Sequence, residues 1–251
     1  MKPSYHKILK NLIKKNKLED IKIVVNKLDR ARLKCINLSP AYKISLLEYA
    51  LLKNRVEIFE YLVDYIDINR SYCNHNNCIV HNREGHSLLI RILLSKKPEE
   101  LESYHIPLII KHTNNLNIDI EGTTYLLYAT KMYTSIQFNS NKHEYISVCS
   151  DIITELLDRG ADPDLGVYGR PIHEVISYGS LELLDLFIKH SKCDISSAIY
   201  PAIRHDKYDM VELLINKTKF TTSGSNIVKY AKTMTPPNND IIELLETFFK
   251  N

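Results

Sequence analysis

Residues 151–164, DIITELLDRGADPD, decide the fold, because they join the apolar spacing of an amphipathic helix to the Gly-Ala-Asp turn that ends it. A short helix is predicted over residues 169–179, GRPIHEVISYG, where Pro171 suits the first turn. Residues 181–190, LELLDLFIKH, have the same apolar spacing and predict another helix. The three segments therefore predict pairs of short helices joined by tight turns.

The predicted helix pair recurs along the chain in weaker copies. Segments that match RPIHEV in position are residues 45–50 (SLLEYA), 87–92 (SLLIRI), 124–129 (TYLLYA) and, more eroded, 200–203 (YPAI). The second helices align on one large apolar residue, which is predicted to be buried in each: Val24, Leu62, Ile109, Leu156, Phe187, Leu214 and Leu245. A helix pair cannot bury its apolar face alone, so such pairs must stack.

RPIHEV resembles the ankyrin signature Thr-Pro-Leu-His-x-Ala, and ELLDRGADPD is similar to the end of that family's second helix. The resemblance implies an all-α ankyrin-repeat solenoid of about seven helix pairs, in a single domain over residues 1–251. Residues 1–38 would form the N-terminal capping repeat, 39–219 the central repeats and 220–251 the C-terminal capping repeat. The His of the signature ties neighbouring turns together in this family, which implies a scaffold role for His173.

Several steps between repeats exceed the family's period of about 33 residues, and three loop insertions account for the excess. They are expected at about residues 70–84, 95–103 and 133–146, which are polar, charged or rich in Asn and Ser. Loops of that length are uncommon unless they are functional or flexible. Part of the binding specificity is therefore expected there.

Composition and charge argue against several classes of protein. Lys and Arg number 33 against 30 Asp and Glu, so the net charge of +3 lacks the one-sided field of a nucleic-acid binder. Neither Gly-x-x-x-x-Gly-Lys nor Gly-x-Gly-x-x-Gly occurs, so no nucleotide or other cofactor is expected. No stretch is apolar enough for a signal peptide or a membrane span, and five scattered cysteines suit reduced thiols. We expect a cytoplasmic, monomeric protein that is not an enzyme.

One predicted insertion carries candidate metal ligands. Cys73, His75, Cys78 and His81 could complete a tetrahedral zinc shell. All four crowd into nine residues, however, whereas standard sites divide their ligands between two sides of a longer loop. The favoured interpretation is a polar extension without metal, in which Cys78 packs on the adjacent repeat and the imidazoles are solvated.

Sixteen tyrosines indicate protein recognition, because tyrosine supplies amphipathic contact area at low entropic cost. The candidates near the face that ankyrin arrays turn towards partners are Tyr49, Arg91, Tyr128, Met132 and Tyr178. The alternative is that some of these side chains pack between repeats. The basic stretch LKNLIKKNK, residues 9–17, fits a solvated capping face better than a nuclear signal.

The frequent Ile, Asn, Lys and Tyr, together with the eroded repeats, resemble ankyrin proteins of large DNA viruses such as poxviruses, or of intracellular bacteria. The resemblance implies a host-range or immune-evasion factor in the host cytoplasm or nucleus that binds and masks a host protein. The C-terminal F-box-like segment of many poxviral relatives is expected to be missing, because residues 240–249 predict a capping helix. Two alternatives remain: a structural protein stabilised by zinc at residues 73–81, and an enzyme on an ankyrin scaffold.

Overall fold

The computed structural model describes residues 5–28, 45–66, 68, 89, 92, 105–117, 123–137, 145–166, 169–220 and 223–250. The regular elements within these ranges are thirteen α-helices and one 3-10 turn, which confirms the all-α prediction for this part of the chain. The chain divides into two compact units, residues 1–114 and 115–251. Each unit has helices that pack on one another.

The first unit contains five helices in its described part. They are α1 (Tyr5–Lys14), α2 (Leu18–Asn26), α3 (Leu46–Leu52), α4 (Val56–Val63) and α5 (Ile106–Lys111). Helix α1 packs on α2 and α3, and α3 packs on α4. Ser45 caps α3, because its Oγ accepts a hydrogen bond from the backbone N–H of Glu48 at 3.1 Å. The helix predicted at SLLEYA is therefore confirmed, and the pair α1 and α2 precedes it.

The second unit contains eight helices in its described part. They are α6 (Tyr125–Gln137), α7 (Ile146–Asp158), α8 (Pro171–Tyr178), α9 (Leu181–His190), α10 (Ile199–Arg204), α11 (Tyr208–Lys217), α12 (Gly224–Lys232) and α13 (Asn239–Lys250). A 3-10 turn, Ser196–Ala198, precedes α10. Helices α6, α8, α10 and α12 pack one against the next, and we call them the first layer. Helices α7, α9, α11 and α13 do the same and form the second layer, so the unit is a stack of four helix pairs.

The aligned central residue of the second helices is buried in six of the seven predicted places. Leu62, Ile109, Leu156, Phe187, Leu214 and Leu245 are each 0% exposed. The prediction for Val24 was wrong, because Val24 is only half-buried and Ile21 and Val25 turn to the core instead. Helix α2 has a nearly continuous apolar run, of which Ile23 is 54% exposed, so the pattern does not fix which residues face inward.

The third predicted insertion, residues 133–146, was wrong over its first part. Helix α6 continues to Gln137, with Tyr133 and Ile136 buried at helical spacing from Ala129. Thr130 and Thr134 interrupt the apolar period, because they are buried with their hydroxyls donating to the backbone carbonyls of Leu126 and Lys131. Residues 138–144 lie outside the described residues, as do the predicted insertions 70–84 and 95–103.

One turn geometry recurs within the helix pairs of both units. A residue with positive φ follows the first helix of a pair: Asn16 (55°), Asn54 (52°), Gly179 (85°) and Asp206 (57°). In three of these turns the next backbone N–H donates to a carbonyl five residues earlier: Lys17 to Leu12 (3.0 Å), Arg55 to Ala50 (2.9 Å) and Lys207 to Ala202 (3.0 Å). Gly, Asn and Asp tolerate the left-handed conformation, and the bond satisfies a carbonyl at the helix end. The two units therefore share the same kind of tight turn between the two helices of a pair.

Candidate functional site

Four of the five predicted partner-binding residues lie in the described part of the chain, and all four are half-buried. Tyr49 belongs to α3 of the first unit, whereas Tyr128 and Met132 on α6 and Tyr178 on α8 belong to the second. Tyr128 and Met132 are four residues apart and share one face of their helix. The prediction for Arg91 lies outside the described residues. The second unit therefore holds three of the candidates on two contacting helices.

Tyr49 is engaged within its own unit by two lysines. The Nζ of Lys10 lies 4.7 Å from the centroid of the Tyr49 ring, and the Nζ of Lys53 lies 5.8 Å from it. An ammonium group within about 6 Å of an aromatic centroid is attracted by the ring electrons. Part of the Tyr49 ring thus packs within the first unit, as the alternative interpretation of the tyrosines expects.

Tyr178 lies beside Tyr133, which projects from the neighbouring helix of the first layer. Burial raises the pKa of the Tyr133 hydroxyl and also that of Tyr178, which the nearby Tyr133 raises further. The side chain of Ser180 hydrogen-bonds to the Tyr133 hydroxyl and also caps α9, since its Oγ accepts the N–H of Leu183 at 3.2 Å. Both phenols therefore stay neutral near pH 7.

Polar and aromatic side chains connect three helices of the first layer. The Oγ of Ser177, on α8, lies 3.4 Å from the Nε2 of His205, which directly follows α10. The Nε of Arg204, at the end of α10, donates to the hydroxyl of Tyr230 on α12 at 3.2 Å. The Tyr230 ring meets the Tyr200 ring edge to face, with centroids 5.0 Å apart. These contacts hold the two tyrosine rings and the Arg204 side chain in place on the surface of the first layer.

His173 lies where this surface meets the loop before α8. Its Nε2 is 4.0 Å from the Oδ1 of Asp164, and the guanidinium of Arg170 binds the same carboxylate at 3.1 and 3.2 Å. Burial lowers the pKa of His173 and Asp164 opposes it, while Arg170, Arg204 and His205 lower the pKa further. The imidazole is therefore neutral near pH 7 and sits in positive surroundings.

The two layers of the second unit carry opposite charge. The helices of the first layer contain four basic residues, Lys131, Arg204, Lys229 and Lys232, and one acidic residue, Glu174. The helices of the second layer contain three basic residues, Lys189, Lys217 and Lys250, and ten acidic residues, Asp151, Glu155, Asp158, Glu182, Asp185, Asp209, Glu212, Asp240, Glu243 and Glu246. With His neutral, the layers carry +3 and −7. The near balance of the whole chain conceals this contrast.

Four residues of the site were not predicted from the sequence: Tyr200, Arg204, His205 and Tyr230. Helix α10 is only six residues long and continues from a 3-10 turn, so its segment matched the signature poorly. The signal that could have found these residues was the charge of the helices once they are grouped into layers. That grouping requires the packing order, which the sequence pattern alone leaves open.

The candidate zinc ligands Cys73, His75, Cys78 and His81 lie outside the described residues, so the favoured polar extension without metal and the alternative zinc site both stay predictions. Within the described ranges no three His, Cys, Asp or Glu side chains cluster where a metal ion could bind. Cys149 is buried in α7, where burial raises the pKa of its thiol to about 12. Such a thiol is almost wholly protonated and is a poor nucleophile or metal ligand.

No helix in the described ranges combines the length and the apolar character needed to cross a membrane. No family model matches the sequence, and no curated protein shows a significant similarity to it. The function is therefore argued from the stacked helix pairs and from the side chains of the first layer.

Proposed function

We propose that the protein is an ankyrin-type recognition module that binds another protein through the first layer of its second unit. The observation that carries the proposal is a row of half-buried, bulky side chains across that layer: Tyr128, Met132, Tyr178, Tyr200 and Tyr230. Tyrosine and methionine are enriched at protein interfaces, where they offer large contact areas. The stack of helix pairs holds these side chains on regular elements, so little conformational freedom is lost on binding.

The ankyrin assignment is supported by a feature of the signature segment that is repeated in a later loop. The loop after α7 and the loop after α9 contain the same local bond. In the first loop the Oδ1 of Asp162 accepts the N–H of Asp164, and in the second the Oδ1 of Asp194 accepts the N–H of Ser196, each at 2.8 Å. Each Asp lies four residues beyond the end of its helix. Helix α5, with buried Leu89 and Ile92 before it, fits a third pair among about seven.

The module would act by occupying a surface of a host protein. Its abundance of Ile, Asn, Lys and Tyr supports an origin in a large DNA virus or an intracellular bacterium. Irregular helices support the same origin, since α6 has 13 residues and α10 has six. Masking requires only a stable contact, for which an array of partly exposed side chains is sufficient.

The proposal is tested by affinity capture from host-cell lysate with the tagged full chain, followed by titration of the purified captured protein. Tyr128→Ala with Tyr178→Ala should weaken binding by about tenfold or more, because interface aromatics commonly contribute over 1 kcal/mol each. A matched control is Tyr208→Ala with Phe248→Ala, two second-layer aromatics that are 37% and 39% exposed. Circular dichroism melts check that each variant folds.

Equal binding by the first-layer variant and the wild-type chain would place the interface elsewhere and overturn the proposal. A loss shared by both pairs of substitutions would do the same. If the first-layer variant fails to fold, Arg204→Glu replaces it, because the Arg204 side chain is exposed. That substitution should also weaken capture if the first layer is the contact surface.

A further inference from the structure

We propose that the first layer recognises an acidic segment of its protein partner, rich in Asp and Glu, through Arg204, His205 and Lys229. The inference rests on the proposed function and adds the chemistry of the partner. All three side chains are exposed on or directly beside the helices of the first layer. Each can donate hydrogen bonds, and the two with full positive charge can bind carboxylates.

Arg204 is held in place but not neutralised. Its Nε is fixed by the hydroxyl of Tyr230, which the Tyr200 ring supports in turn. Within the described ranges no carboxylate pairs with Arg204 or with Lys229. Other basic residues are paired: Lys217 of the second layer binds Asp185 at 2.6 Å, and Lys232 of the first layer binds Glu246 at 2.5 Å. A guanidinium whose stem is fixed and whose remaining N–H groups face water is well suited to an incoming carboxylate.

The charge distribution of the second unit favours a negatively charged partner for the first layer. A carboxylate is attracted to the first layer, which carries +3, and is repelled by the second, which carries −7. Burial is the main cause of the lowered pKa of His173, Asp164 opposes it, and Arg170, Arg204 and His205 add to it. Two arginines therefore lie near His173, one in the loop before α8 and one at the end of α10.

The spacing of these charges favours an acidic peptide over nucleic acid. Neighbouring helices lie about 8–10 Å apart, so the four basic residues of the first layer are spread over roughly 30 Å. Duplex DNA carries one phosphate charge per about 1.7 Å, and its binders place many cations along that backbone. Sparse cations among tyrosines are typical of protein interfaces instead. A peptide with several carboxylates matches this density.

The experiment is fluorescence anisotropy of the full chain with a labelled twelve-residue peptide of alternating Glu and Asp. The same peptide with Gln and Asn is the neutral control. Arg204→Gln with Lys229→Gln should weaken binding about three- to tenfold, because it removes two exposed charges from the contact. Lys189→Gln with Lys219→Gln removes the same charge from exposed positions outside the first layer and should change binding by less than about twofold. Added salt should weaken binding of the acidic peptide.

Three results would overturn the inference: equal losses with both pairs of substitutions, equal binding of the neutral peptide, or tighter binding of a single-stranded RNA with the same charge. Failure of the inference differs from failure of the proposed function. If Tyr128→Ala with Tyr178→Ala removes a captured host protein and Arg204→Gln with Lys229→Gln does not, the first layer binds a partner that is not acidic. If both variants lose that protein and the acidic peptide, the inference is supported.

Discussion

His173 illustrates how one residue of a repeat signature responds to its surroundings. Burial makes the largest contribution to lowering its pKa, and the nearby Arg170, Arg204 and His205 add to it, while Asp164 opposes them. The unfolded chain lacks these influences, so its His173 has an ordinary pKa near 6.5. The two states therefore bind protons differently in weakly acidic solution.

Acidification is expected to destabilise the protein through His173. As the pH falls below about 6.5, His173 of the unfolded chain binds a proton before His173 of the folded chain does. The stability that is present above that pH is therefore lost as the pH approaches the lower pKa of the folded state. Urea unfolding of the wild-type chain and of His173→Gln, each at about pH 7.5 and about pH 5, measures this contribution. The wild-type chain should lose more stability than the variant, because the other histidines titrate in both. Equal losses would contradict the prediction.

The burial of single residues was predicted well in helices whose charged and apolar residues lie on separate faces. Leu156 and Phe187 lie in helices with distinct charged faces, and both are fully buried as expected. Val24 has apolar neighbours on both sides, so its helical face could not be assigned from the pattern. Arg204 was missed because its role depends on Tyr230, which is 26 residues away in the chain.

Among elements, the turn after the first helix of a pair often requires a residue with positive φ. Four such turns contain a residue with positive φ, and three of these residues are not glycine. The conformation is costly for most side chains but less so for Asn and Asp. The identity of this residue therefore affects the stability of the pair.

Gly179→Ala is expected to lower the free energy of unfolding by about 1 kcal/mol, because a methyl group is strained in the left-handed region. The added Cβ would also lie 3.3 Å from the Nζ of Lys207, a flexible group that can move away. Gly179→Asn should cost less, since Asn16 and Asn54 occupy the same conformation. Chemical denaturation of both variants, with the exposed Lys131→Ala as a control, provides the measurement. A cost for Gly179→Ala no greater than that for Lys131→Ala would refute it.

Helix ends were predictable where a cap marks them. Helix α9 spans Leu181–His190 as expected, because Ser180 provides its N-cap and a tight turn precedes it. The end of α6 was misplaced because no glycine follows it, and the Asn and Ser of the next residues suggested a loop too early. Helix boundaries were thus predicted accurately only where the local sequence contains a clear start or stop signal.

At the scale of the whole molecule, the second unit consists of helix pairs that pack mainly on adjacent pairs. Such arrays have stabilities that approximate a sum of repeat and neighbour terms. A defect at one end should therefore open that end before it affects the other. The packing order that leads to this expectation was not available from the sequence, which predicted pairs but not their layers.

Leu245→Ala is expected to expose α12 and α13 selectively to hydrogen exchange. Leu245 is fully buried in α13, so its truncation leaves a cavity that costs about 2–5 kcal/mol. Amides of α6 and α7 should keep their protection, since those helices do not pack on the last pair. Leu156→Ala, in α7, is the matched variant and should affect α6 and α7 most. Equal loss of protection in all eight helices after Leu245→Ala would show that the unit opens as one cooperative body.

The opposite charges of the two layers give the second unit a permanent dipole moment that runs from one layer to the other. An acidic surface that approaches this unit exerts a torque and turns the positive layer towards itself before contact. The effect reaches about one Debye length, which is about 8 Å at physiological ionic strength. Alignment of this kind increases the fraction of collisions that lead to docking, so ionic strength should alter the association rate more than the lifetime of the complex.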